Sequence, residues 1–173
     1  MRCSLGLARG TVHIVKYRAR WPSSFERERR RLQRHIGDRI VAIEHIGSTS
    51  VPGLSAKPIL DISVGVRRVK DMRMIQGTLE KLGYERPHVG DRRNVLFAKG
   101  PDHRRTVYVH VMRYQGATWR NDLRFRDWLR KHPNDRRRYQ TLKERLAAIH
   151  AMDRAAYTEG KKGFIRNIIR KAS

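Results

Sequence analysis

Hydrophobic residues recur along the first half of the chain at two spacings, which predict a helix followed by strands. The segment from Ser24 to His35 places apolar residues on one side and arginines on the other, a pattern typical of an amphipathic helix. Residues 39–46 and 59–66 are rich in isoleucine and valine and predict two strands. Helical spacing returns from Lys70 to Leu82, and Gly83 marks the predicted end of that helix.

The second half of the chain predicts two further strands and then only helices. Val95–Lys99 and Thr106–Met112 are short apolar runs joined by a polar turn. From Trp119 onward the spacing is helical, and His132-Pro133 separates the first helix from the second. The predicted helices span 121–131, 134–149 and 153–171. This order predicts an α/β (α+β) fold, in which a mixed sheet is flanked by helices and the C-terminal third is helical.

The length of the chain and its single cysteine indicate the class of protein. With 173 residues and no linker, we expect one domain over 1–173, with a sheet-containing core at about 12–112 and a helical part at about 119–171. Cys3 alone cannot form an intrachain disulfide, which favours a reducing compartment. No apolar run approaches the roughly 20 residues of a membrane span, and the N-terminal run is too short for a signal peptide. These features predict a soluble, cytoplasmic protein with no membrane partner.

The charge of the chain is strongly positive. Its 40 basic residues against 16 acidic ones give a formal net charge of +24. A field of this size attracts polyanions, so non-specific nucleic-acid binding is one expectation. The alternative is a solvated arginine-rich surface without such a partner, because the arginines are spread along the whole chain.

The loop between the first two predicted strands holds residues suited to phosphate. Gly47 allows the backbone to approach a phosphate closely, and Ser48 and Thr49 supply hydroxyl and backbone N–H donors. Lys57 adds a cation near the end of the loop. Asp61, on the second strand, can hold Mg²⁺, which takes oxygen ligands and commonly bridges substrate phosphates.

This region resembles a known family. The run EHIGSTSVPGLSAKPILDISVGV is similar to the signature of the GrpB-like family, a branch of the nucleotidyltransferase superfamily. The resemblance spans about 12–170 and continues in VKYRARWPSSF, VYVHV, WRNDLRFRDWLRKHP and AAYTEGKKGFIRNII. It implies a nucleotidyltransferase-type α/β fold, a divalent cation (Mg²⁺ or Mn²⁺) and a nucleoside triphosphate. The family is poorly defined in substrate, so the resemblance implies a fold and a site better than a reaction.

The second strand departs from the superfamily pattern. Active members usually carry Asp-x-Asp there, because two metals need several carboxylates. In this chain the second position is Ser63, which shares a sheet face with Asp61. The resemblance also points to His110 on a later strand. Either another acid compensates for the missing carboxylate, with Glu44 on the preceding predicted strand as the candidate, or the metal site is weakened.

Asp61, Glu44 and His110 are therefore the predicted catalytic and metal-binding residues. Glu44 could instead be an ordinary strand carboxylate paired with an arginine, and His110 could be a core histidine. Tyr157 and Lys161 share a helix face at i,i+4 spacing and either reach a phosphate or lie on a solvated side. Three further polar residues are predicted to be structural: His45, Arg126 and Asp127.

Three functions remain open at this point. The first is Mg²⁺-dependent nucleotidyl transfer from a nucleoside triphosphate to an unknown acceptor. The second is a non-catalytic module that binds a nucleotide or phosphate ligand in a degenerate site, and the third is a basic nucleic-acid-binding protein. In the first two, the predicted phosphate-binding residues are Gly47, Ser48, Thr49, Lys57, Tyr157 and Lys161. The acceptor, the base preference and the oligomeric state do not follow from the sequence.

Overall fold

The computed structural model describes residues 5–68, 70–86 and 94–173, so Cys3 lies outside the described residues. These residues form a five-stranded mixed sheet with helices packed on it. The strands are β1 (Ala42–Ile46), β2 (Leu60–Val66), β3 (Tyr84–Glu85), β4 (Asn94–Lys99) and β5 (Val107–Arg113). The helices are α1 (Arg20–Ile36), α2 (Asp71–Lys81), α3 (Ala117–Lys131), α4 (Pro133–Ile149) and α5 (Arg154–Lys171).

The order of the strands places the predicted site residues at the middle of the sheet. The order is β1-β2-β5-β4-β3, in which β2 and β5 run parallel and the other neighbours run antiparallel. Asp61 is the register partner of Tyr108, and Ser63 is the partner of His110. Because side chains alternate along a strand, these residues share one face of the sheet.

The opposite face is apolar and forms the main core. Ile62, Val64, Val109 and Val111 are fully buried there, in one cluster with residues from α1 and α2. Full burial of each such side chain stabilises the fold by about 1.5–3 kcal/mol. The apolar side of the sheet is thus occupied by packing, and the polar side is left to α3, α4 and α5.

A smaller core holds the loop after β1 against the C-terminal helices. Val51 and Leu54 of this loop are fully buried with Leu129 of α3 and Tyr139 of α4. Phe164 of α5 stacks on Tyr139, with ring centroids 5.2 Å apart. This packing brings three helices and the loop to the polar face of the sheet.

The predicted fold class is confirmed, with differences at the ends of elements. α1 begins at Arg20, four residues before the predicted start, because Pro22 is tolerated in the first turn of a helix. β3 was not predicted, since two residues carry no measurable alternation. Across the described ranges, no helix is both long and apolar enough to cross a membrane.

Candidate functional site

A cavity of about 400 Å³ lies between the polar face of the sheet and the C-terminal helices. Asp61 and His110 line it from the strands, and the loop after β1 contributes the predicted phosphate-binding residues. The helices add further polar and charged side chains: Asn121, Asp122, Tyr139, Arg154, Tyr157, Thr158 and Lys161. Nearly all the predicted site residues therefore come together here, and Glu44 is the exception.

Gly47 allows the loop to pass close to the carboxylate of Asp61. Its φ is +67°, in the left-handed region that favours glycine. A Cβ at this position would lie 2.8 Å from Asp61 Oδ2, closer than side-chain atoms approach one another. The short 3₁₀ turn Ser48–Ser50 follows, and Ser50 Oγ donates to the carbonyl of Gly47 at 2.6 Å. The turn fixes Ser48 and Thr49 at the edge of the cavity.

His45 supports this turn from the other side of the sheet. Its Nε2 forms a 3.0 Å hydrogen bond with Thr49 Oγ1, and its ring stacks on Phe25 with centroids 4.6 Å apart. Burial lowers the pKa of His45 to about 4, so the ring is neutral at physiological pH. The structure thus places His45 in the packed interior, and the hydroxyl of Thr49 is committed to it.

Asp61 and His110 form a pair at the floor of the cavity. His110 Nε2 lies 3.3 Å from Asp61 Oδ1, and the two side chains are 24% and 32% exposed. Burial works to raise the pKa of Asp61. The hydrogen bond and charge of His110, together with Lys57 and Arg154, outweigh burial and hold that pKa below its usual range. Asp61 is therefore an ionised carboxylate at neutral pH.

Asp122 brings a second carboxylate into the cavity from α3. Burial raises the pKa of Asp122 to about 6; the charge of His110 opposes this rise, and that of Asp61 adds to it. The carboxyl lies near Ser63, whose buried hydroxyl has no partner of regular hydrogen-bond geometry in the described part of the chain. Asp122 thus supplies, from a helix, an acid beside the strand position that carries Ser63.

Glu44 does not provide this second carboxylate, contrary to expectation. Its Oε2 accepts a hydrogen bond of 2.6 Å from Arg126 Nη1, and its side chain lies outside the cavity lining. Arg126 also donates to Asp127 Oδ1 at 2.7 Å. The physical reason is that Arg126 holds the carboxylate of Glu44 on β1, next to Asp127 and away from the cavity. Within the described residues, no three His, Cys, Asp or Glu side chains converge in an arrangement that could hold a metal ion.

Two lysines line the same cavity as the carboxylates. Lys57 from the loop and Lys161 from α5 lie over the buried ring of Tyr157, with Nζ atoms 5.7 Å and 4.2 Å from its centroid. Burial lowers the pKa of Lys57 to about 7 and that of Lys161 to about 8, and Arg154 adds to both effects. The nearby charge of Asp61 acts in the opposite direction on both lysines. Tyr157 and Lys161 therefore face the cavity, not solvent.

Lys143 of α4 is buried behind the cavity, with 1% of its surface exposed. Its Nζ donates to Ser48 Oγ at 3.1 Å and to the carbonyl of Ser55, and it lies 4.9 Å from the centroid of Tyr139. Burial lowers the pKa of Lys143 to about 7, and the charge of Lys161 acts in the same direction. Lys143 is thus a buried cation that orients the hydroxyl of Ser48.

The sequence interpretation missed Asp122 and Lys143, although both lie on recognisable helix faces. Asp122 is three residues from both Trp119 and Phe125, so it shares their inward side of α3. Lys143 follows Tyr139 by four residues and shares its side of α4. A charged residue in the buried stripe of a helix is the signal that could have identified them, because unpaired buried charge is costly.

Comparison with known proteins gives the family of the chain. The model of the GrpB protein family matches residues 11–171. The glutamate-rich protein GrpB of Alkalihalophilus pseudofirmus is 34% identical, over 95% of this chain and 98% of that protein. The crystal structure of GrpB from Enterococcus faecalis has a TM-score of 0.84 and 34% identity, covering 92% of this chain and 96% of the other. A dephospho-CoA kinase of Mycolicibacterium paratuberculosis is 25% identical over 96% of this chain but only 47% of its own length. The chain belongs to the GrpB family.

Proposed function

We propose that the cavity binds the phosphates of a nucleoside triphosphate and transfers the nucleotidyl group to an acceptor. The observation that carries the proposal is a set of basic side chains, one buried and three half-buried, that form no ion pair among the described residues. Lys57, Lys143, Lys161 and Arg154 make no ion pair within 4.0 Å in the part of the chain that is described, whereas other arginines, among them Arg29, Arg105 and Arg126, do. A buried charge costs several kcal/mol even after relaxation. A multiply charged anion in the cavity would offset that cost for Lys57 and Lys161, which line the cavity together with Arg154.

The two carboxylates suit a magnesium ion that the substrate completes. Mg²⁺ is commonly bound by one or two carboxylates together with substrate phosphates and water. Asp61 and Asp122 would be its protein ligands, which agrees with the finding that the described residues form no three-ligand site by themselves. Mg²⁺ or Mn²⁺ would neutralise phosphate charge and align the reacting groups.

The remaining side chains have roles that follow from their positions. The Ser48 hydroxyl, held by Lys143, and the adjoining turn would bind the distal phosphates. Lys57 and Lys161 would stabilise charge on the departing pyrophosphate. The acceptor oxygen or nitrogen would form a bond to the α-phosphorus while the bond to the β-phosphate bridge breaks. The Asp61–His110 pair would take the proton that the acceptor loses.

Two further considerations support handling of a nucleotide. The sequence signature resembles that of nucleotidyltransferases, and membership of that superfamily is part of this proposal. In addition, a region similar to this chain occurs within a protein named dephospho-CoA kinase. We place the activity in the cytoplasm, because a chain with one cysteine depends on no disulfide.

A second candidate is a binding module without turnover. It is favoured by Ser63, since among the described residues two carboxylates reach the cavity, and two-metal enzymes use more. The positive charge of the chain also keeps non-specific nucleic-acid binding as a side activity, which would show a steep dependence on salt.

The test uses labelled nucleoside triphosphates, Mg²⁺ or Mn²⁺ and a pool of hydroxyl and amine acceptors. We expect binding in the micromolar range or weaker, together with release of pyrophosphate and a labelled product. Asp61→Asn and Asp122→Asn should each lose metal-dependent binding. Glu44→Gln is the matched control, because Glu44 lies on the same sheet face but outside the cavity. Binding without product would favour the second candidate, and absence of triphosphate binding at low salt would reject both.

A further inference from the structure

A second cavity, of about 740 Å³, adjoins the first. Arg154 and Thr158 of α5 line both cavities. The two are also linked through the sheet, because Asp61 in the first cavity is the register partner of Tyr108 in the second. Ala98, the partner of Tyr108 on β4, continues the same line. A molecule in the second cavity would therefore lie one strand away from the carboxylate of Asp61.

The floor of the second cavity is apolar, and several of the cations at its rim have acidic partners within the protein. Leu96, Ala98 and Tyr108 pack into one small cluster that forms this floor. At the rim, Arg105 forms ion pairs with Glu85, at 2.8 Å, and with Asp102.

A second rim pair lies on α5. Lys162 Nζ is 2.5 Å from a carboxylate oxygen of Glu159. A polyanion needs cations that are free to contact phosphates, and these rim cations already have acidic partners. The lining thus suits a small molecule with an apolar body better than a nucleic acid.

Arg154 stands between the two cavities. Its Nη1 donates to the hydroxyl of Tyr108 at 2.6 Å, and its guanidinium lies 4.8 Å from the centre of that ring. Within the described ranges it forms no ion pair, but its charge contributes to the low pKa of Asp61. A group bound at this point would meet one planar donor that also faces the phosphate-binding cavity.

We propose that the second cavity binds the acceptor, a small molecule with an aromatic or aliphatic body and one hydroxyl or amine. This inference rests on the proposed function, in which the first cavity binds the triphosphate. The apolar body would lie on Tyr108 and Ala98, and the hydroxyl or amine would point past Arg154 towards Asp61. The wall formed by Arg154 and Tyr108 would separate the two substrates except at the reacting atoms.

The experiment uses one substitution in α5 to obstruct the second cavity while leaving the first unchanged. Ala155 is exposed and lines only the second cavity, so Ala155→Trp should obstruct it without altering the first. Ala148→Trp, at an exposed position of α4 that lines neither cavity, is the matched control. The probe is 4-fluorobenzyl alcohol, whose binding broadens its ¹⁹F resonance, and triphosphate affinity is measured in parallel by calorimetry.

We expect the wild type and Ala148→Trp to bind the probe in the millimolar range, and Ala155→Trp to lose at least tenfold in probe affinity. Triphosphate affinity should be equal in all three, and product formation from the acceptor pool should fall at least tenfold in Ala155→Trp alone. Unchanged probe binding or full turnover in Ala155→Trp would overturn the inference. Absence of triphosphate binding in all three, with probe binding intact, would instead reject the proposed function and the acceptor role with it. The second cavity would then remain a ligand site only.

Discussion

Replacing Lys143 by methionine should stabilise the protein near neutral pH, although it removes two hydrogen bonds. The pKa of Lys143 falls from 10.5 to about 7 on folding because of its burial. At about 1.4 kcal/mol per pKa unit, holding this lysine charged costs the fold on the order of 4 kcal/mol at pH 7. Loss of the contacts to Ser48 and Ser55 costs about 1–3 kcal/mol. Methionine fills a similar volume, so the net gain in the free energy of unfolding is about 1–3 kcal/mol.

The dependence of stability on pH gives the sharper test of Lys143. Between about pH 7 and pH 9.5 the unfolded chain holds the lysine proton that the folded chain releases, so stability of the wild type rises with pH. Lys143→Met should remove up to about 1.4 kcal/mol per pH unit from that rise. Guanidinium unfolding at several pH values measures it, with exposed Lys81→Met as the control. Equal slopes in wild type and Lys143→Met, or a less stable variant at pH 7, would refute the reasoning.

Three other substitutions test the geometry of the cavity. Gly47→Ala should cost about 1–2 kcal/mol of stability and weaken triphosphate binding, since its Cβ would displace Asp61; denaturation and calorimetry measure these. In the wild type, the raised pKa of Asp122 makes stability fall as the pH rises from about 4 to about 6, because the unfolded chain releases this proton first. Asp122→Asn should abolish that fall, and unfolding measured at several pH values in this range checks it. Glu44→Gln should change stability by less than about 1 kcal/mol and leave triphosphate affinity unchanged in calorimetry, because its carboxylate contacts Arg126 outside the cavity.

The residues that the sequence located correctly are those that depend on local chain geometry. Gly47 and Ser48 are adjacent, and Asp61 stands on the next strand, so alternation and one loop are enough to bring them together. Alternation alone could not place His110 at the site, because nothing in the sequence shows that β5 pairs with β2. His110 was predicted through the resemblance to a family. Glu44 lies outside the cavity and Asp122, which the sequence did not suggest, lies within it, because the meeting of β2 and α3 depends on distance across the fold and not along the chain.

The residues on the helices show more clearly what the sequence pattern does not predict. A helical pattern shows which residues share a face, but not what that face is packed against. Asp122, Lys143 and Arg154 come from three successive helices, and their meeting at one cavity depends on how α3, α4 and α5 pack on the sheet. Each could be identified as a charged residue on an inward face, but their assignment to a common site required the structure.

The second carboxylate of the cavity, Asp122, comes from a helix and not from strand β2, and this position bears on whether the cavity can catalyse. A carboxylate at position 63 would be held by the sheet at a fixed distance from Asp61, whereas Asp122 depends on the packing of α3. The pKa of Asp122, raised to about 6, means that burial disfavours the ionised form of this carboxyl. Burial also disfavours the charged forms of Lys57 and Lys161, because it lowers the pKa values of both lysines. A triphosphate with its metal would favour the charged form of all of them together: the cation would hold the carboxylates ionised, and the phosphates would hold the lysines protonated. In the proposed reaction, binding of the substrate and its metal would thus favour the charged state that transfer needs, so the cost of burying these charges would not have to be met without the substrate.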